Sequence, residues 1–131
     1  FISLKKNFQD FFIPLYPFKK INDNEPYYFI CWGTDQLDGV TFYYWSWSKD
    51  KIKKNKKRII LKEFEALINL SINTGNISRK NFNQLCPRTN QSGPCGFAVM
   101  LSIIKDVAGI TMLSKASYEI TDVKQLNQLL D

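Results

Sequence analysis

Val40-Thr41-Phe42-Tyr43-Tyr44-Trp45-Ser46-Trp47-Ser48 is a continuous run of β-branched and aromatic residues, and its reading as a strand decides the fold. A period of two separates Val40, Phe42, Tyr44, Ser46 and Ser48 from Thr41, Tyr43, Trp45 and Trp47, so both faces carry large rings. Upstream, Tyr27-Tyr28-Phe29-Ile30-Cys31-Trp32 is a second strand signal, and the segment bracketed by Gly33 and Gly39 joins the two as an antiparallel hairpin. Two explanations compete for the Tyr43, Trp45 and Trp47 row: cover by a helix of the same domain, or a platform on which bases or a partner side chain stack.

Downstream of the strand the charge changes abruptly. Residues 49–58 contain Lys49, Lys51, Lys53, Lys54, Lys56, Lys57 and Arg58 against the single Asp50. The resulting +6 equals the formal charge of the whole 131-residue chain, which is otherwise balanced. Charge of this density repels itself and resists burial, so the segment is predicted to be an exposed basic loop whose role, if it has one, is electrostatic. Lysines on nucleic-acid phosphates release counterions and give salt-dependent affinity. The same segment would attract an acidic protein, and lysine enrichment at tolerant surface positions would produce it with no partner at all.

From Ile59 the period shifts to three and four. Leu61, Phe64, Ile68 and Ile72 describe an amphipathic helix near 61–73, with Lys62, Glu63, Glu65 and Asn69 between them and Gly75 closing it. Ser78 is predicted to cap a helix near 79–86, with Ile77 and Phe82 placed as a hydrophobic staple. Residues 88–93 read as a turn-rich linker, and 94–108 as a central buried helix apolar around most of its circumference. Residues 110–113 and 116–120 read as short strands, and Thr121 as the cap of a last helix near 122–130. At the other end, Leu4, Phe8, Phe11 and Phe12 suggest a short amphipathic helix stopped by Pro14.

These elements predict a single α+β domain over residues 1–131: an antiparallel aromatic-rich sheet of three to five strands packed by about four helices. The chain contains no histidine, which removes the usual general base, the commonest zinc ligand and the base of Ser-His and Cys-His pairs. Cys31, Cys86 and Cys95 are odd in number and unrelated in spacing, so neither a disulfide framework nor a zinc site is indicated. A reducing, cytoplasmic setting is expected, and no apolar run approaches the length of a membrane span. Residue 1 is Phe rather than Met, as in a processed product or a segment of a longer chain.

The Ser92-Gly93-Pro94-Cys95-Gly96 turn has the composition of an anion-binding helix start with an activated cysteine, but equally that of a tight entry into a buried helix. Residues 61–86 also match the outline of a helix-turn-helix, with Arg79 and Lys80 outward. No catalytic motif, metal set or cofactor is predicted. The leading expectation is non-catalytic nucleic-acid binding through Lys49, Lys51, Lys53, Lys54, Lys56, Lys57 and Arg58, assisted by Arg79 and Lys80, with Tyr43, Trp45 and Trp47 as stacking groups. The alternative is a protein-interaction or regulatory module with an aromatic surface and an acidic partner.

Overall fold

The computed structural model describes residues 17–19, 26–48, 51–52, 57–93 and 96–130, with side chains described at 32–34, 36–44, 57–93 and 96–130. The N-terminal helix predicted around Leu4 to Phe12 lies outside the described residues.

The two aromatic runs form the predicted hairpin. Strand β2 (Pro26–Asp35) pairs antiparallel with β3 (Gly39–Ser48), and the short β1 (Pro17–Lys19) adds to the other side of β2. A bulge interrupts the register between Phe29 and Cys31. The extra residue brings Trp32 opposite Phe42, where the two rings meet edge to face with centroids 5.5 Å apart. Phe42 and Tyr44 are fully buried, so the face they share is the core face.

The remaining edge of β3 is occupied twice. Strand β4 (Lys51–Ile52) pairs with Trp47 and Ser48, and β5 (Lys57–Ile60) pairs with Thr41 to Tyr44. Both run antiparallel to β3, so they are two pieces of one returning strand with residues 53–56 interposed. Residues 51–52 and 57–58, predicted to belong to a loop, are thus paired in the sheet. Lysine is at home on such an edge, and the buried Ile59 and Ile60 anchor the arm at its far end.

Ile60 leads directly into helix α1 (Leu61–Thr74), whose buried residues Leu61, Phe64, Leu67 and Ile68 follow the predicted spacing. Gly75, at φ 77°, ends it by donating its N–H to Ser71 O. The predicted staple is present, with Ile77 and Phe82 both fully buried and Ser78 Oγ accepting from Asn81 N–H at the start of α2 (Arg79–Leu85).

Four sequence expectations require correction. The predicted linker at 88–93 is helix α3 (Pro87–Ser92), begun by a proline whose missing N–H costs nothing at that position. Asn76–Ser78 is a strand, β6, rather than a turn, so the helix-turn-helix outline is not realised. The later strands β7 (Ile110–Ser114) and β8 (Ser117–Ile120) do not extend the aromatic sheet; they pair with β6 in a second antiparallel sheet of order β6-β8-β7. The last helix, α5 (Val123–Gln128), is capped by Asp122 rather than Thr121, its carboxylate accepting from Gln125 N–H at 3.2 Å.

Helix α4 (Gly96–Ala108) is central as predicted, with Phe97, Val99, Met100, Ile103 and Ile104 among its buried residues. One core joins the elements: Phe42, Tyr44 and Ile59 from the first sheet, Ile77, Tyr118 and Ile120 from the second, and the inner faces of α1, α4 and α5. The architecture is a single α+β domain. Among the described residues no helix is long and apolar enough to cross a membrane.

Candidate functional site

The register of the first sheet sets the predicted contact residues beside one another. Lys51 lies opposite Ser48 and Ile52 opposite Trp47; Lys57 lies opposite Tyr44 and Arg58 opposite Tyr43. At these four positions the basic arm is paired with the aromatic strand. Lys49, Lys53, Lys54 and Lys56 lie outside the described residues, as do the side chains of Lys51, Trp45 and Trp47.

Tyr43 is half-buried on the face opposite Phe42 and Tyr44. Its ring packs against Gly33, where a Cβ would fall 2.5 Å from Tyr43 Cε2. Glycine there gives the ring its place, and any larger residue would displace it.

Arg58 is drawn into the structure as well. Its guanidinium stands 4.0 Å from the carboxylate of Asp38, which is 2% exposed in the turn between β2 and β3. The main partner of Asp38 is Arg88 of α3, which donates from Nε at 2.8 Å and from a terminal nitrogen at 3.0 Å in a two-pronged pairing. The Arg88 hydrogen bond, followed by the charges of Arg88, Arg58 and Lys62, holds the Asp38 carboxyl below its ordinary value of 3.8 despite desolvation.

A second brace lies beneath. Glu63, expected on the polar side of α1, is buried and accepts from Arg88 N–H at 3.1 Å and from Thr89 N–H and the Thr89 hydroxyl, each at 2.7 Å. The two amides are orphan donors of the first turn of α3, and a carboxylate is the acceptor best suited to them. Thr89 Oγ1 in turn accepts from Ile60 N–H at 3.0 Å, and Ser92 Oγ from Arg58 N–H at 2.8 Å. Two hydroxyls one helical turn apart thus satisfy the two outward amides of β5. Asp38, Glu63, Arg88 and Thr89 were not singled out in the sequence because each partner is distant along the chain.

No nucleophile emerges from the described part of this region. Cys86 is fully buried, with its thiol donating to Glu63 O at 3.5 Å; burial first, and the Glu63 charge second, push its pKa up to about 12. Cys95 lies outside the described residues. Among the described residues no group of three or more Cys, Asp or Glu could hold a metal ion.

Arg79 belongs to a different neighbourhood. At the first position of α2, its guanidinium lies 4.7 Å from the ring centre of Phe97 and 5.5 Å from that of Phe82. Its backbone N–H donates to Ala116 O at 3.0 Å, tying it to the β7–β8 turn. Lys80, next along, is exposed.

No protein-family model, curated protein or solved structure matches this chain.

Proposed function

We propose that the domain binds nucleic acid without catalysis, through the basic return arm at residues 49–58 and the adjacent face of β3 that carries Tyr43, Trp45 and Trp47. One observation supports this reading above the rest: the register that lays the arm along the aromatic strand, with Arg58 opposite Tyr43 and Ile52 opposite Trp47. Phosphate-neutralising charge beside stacking rings is the combination that single-strand binding uses. Lys57 and the exposed Lys80 add charge, while Arg58 and Arg79 act with one hand on the fold, through Asp38 and Phe97 respectively. A buried free thiol at Cys86 favours a reducing compartment such as the cytoplasm.

Fluorescence anisotropy with labelled single-stranded DNA and RNA tests the proposal. Replacing Lys49, Lys51, Lys53, Lys54 and Lys56 by Gln is expected to abolish measurable binding at moderate salt. It should reduce the log-log salt slope by about 0.7 for each phosphate contact removed. No binding by the native domain even at low salt, or unchanged affinity in the five-lysine variant, would sink it.

A second reading, a protein-interaction module, is favoured by one feature: Met112 and Leu113 on β7, at the edge of the second sheet, are 59% and 54% exposed. A partner held by these apolar side chains would stay bound after the five-lysine substitution, whereas an acidic partner steered by the basic segment would associate more slowly.

A further inference from the structure

The two edges of the second sheet differ. Strand β6 is three residues long and runs without a break into α2, only one residue after α1 ends. Strand β7 is five residues long, and Thr111, Met112, Leu113 and Ser114 are all exposed. Among the described residues these four make no hydrogen bond beyond the pairing with β8. The strand contains no proline and no charged residue, two of the devices that usually keep a sheet edge from pairing further.

Met112 is out of place for an exposed residue. It lies opposite Tyr118, which is buried, so it belongs to the core-facing side of the sheet. A register shift between Met112 and Ser114 inserts Leu113 beside it, giving two adjacent exposed apolar side chains. The inner face of the sheet therefore continues beyond the last strand of the domain.

The ends of β7 carry opposite charges. Lys115 follows it in the hairpin turn, where Ala116 holds φ 63°, a left-handed conformation uncommon outside glycine. At the other end Asp106 lies in the last turn of α4, a position at which the helix dipole disfavours an acid. Desolvation raises the Asp106 pKa, and the neighbouring Lys105 opposes that shift only in part. Asp122 is close by, its N–H donating to Ala108 O at 2.9 Å. Lys115 and Asp106 are both exposed, and neither makes a salt bridge among the described residues.

We propose that β7 pairs antiparallel with β7 of a second copy of this chain, joining the two second sheets into one of six strands. A twofold axis at Thr111 and Met112 sets the Lys115 of each copy beside residues 107–109 of the other, within reach of the partner's Asp106. It also brings the Met112 and Leu113 side chains of both copies together. An uncharged strand flanked by a cation at one end and acids at the other is complementary to itself when reversed. The shared edge is short, so the dimer is weak, with a Kd of about 10–500 µM. It gives the protein-interaction reading a partner and is independent of nucleic-acid binding.

Sedimentation equilibrium of the nuclease-treated full chain, in about 0.15 M salt to screen the basic arm, tests the proposal. A reversible monomer–dimer equilibrium is expected, with amides 111–114 exchanging more slowly as concentration rises. Replacing both Met112 and Leu113 by Lys, at exposed positions, should leave a folded monomer. Lys115→Glu and Asp106→Lys should each weaken the dimer about fivefold, since the pair occurs twice, and the double variant should recover native affinity to within about twofold. The five-lysine variant of the basic arm should dimerise as the native chain does. A native chain that stays monomeric to millimolar concentration, a dimer that survives the Met112 and Leu113 replacements, or a charge-exchanged double variant as weak as the single ones overturns the proposal.

Discussion

Thr89 carries more of the structure than its size suggests. Its hydroxyl donates to Glu63 and accepts from Ile60, so Thr89→Val removes two hydrogen bonds at once and leaves a buried amide and a carboxylate oxygen short of partners. A loss of about 2–3 kcal/mol in urea unfolding is expected, with no change in the slope against denaturant. Asp38 makes a different prediction, in pH. Its folded pKa lies below 3.8, so its contribution is complete above that value and disappears as pH falls through the lower folded value. Thermal melts from pH 6 downward should therefore show a loss of stability below about pH 4 that Asp38→Asn, already weakened at neutral pH, does not repeat. Neither residue could be recognised from the sequence. Glu63 and Thr89 are 26 positions apart and Asp38 and Arg88 are 50, and nothing local distinguishes a buried carboxylate from a solvated one.

The elements were far more legible than their partners. The alternation in residues 40–48, the spacing from Leu61 to Ile72 and the Ile77–Ser78–Phe82 staple are each dictated by a few neighbouring positions, and each is realised. Helix α3 escaped because Arg88-Thr89-Asn90-Gln91-Ser92 has the composition of a loop; the Glu63 carboxylate at its first turn and the sheet edge it covers are supplied from elsewhere. Strand β6 escaped because three residues carry no period, and only pairing with β8 makes them a strand. The candidate contact residues were legible as chemistry, through the charge run and the aromatic row, whereas the Asp38–Arg88 and Glu63–Thr89 pairs needed distant elements to meet. The β7–β8 turn also yields a prediction. Ala116→Gly relieves the left-handed strain at some cost in unfolded-chain entropy, and should raise the unfolding free energy by up to about 1 kcal/mol. Chemical denaturation measures it directly.

For the molecule as a whole, the decisive property is the separation of charge from core. The formal +6 is carried by ten residues, while the apolar interior is assembled from two sheets and the helices between them. Replacing the five lysines at 49, 51, 53, 54 and 56 by Gln should consequently leave the unfolding midpoint unchanged or slightly raised, because like-charge repulsion falls. A collapse of the fold in that variant would show that the arm is structural. The two hydroxyls of α3 that answer the outward amides of β5 have a related effect on how molecules meet. A bare strand edge is a template on which another chain can add, and repeated addition is polymerisation. With Thr89 and Ser92 occupying those amides, growth of the sheet stops at β5. The anchored end of a lysine-laden arm can thus be paired with an aromatic strand without becoming the seed of a fibre.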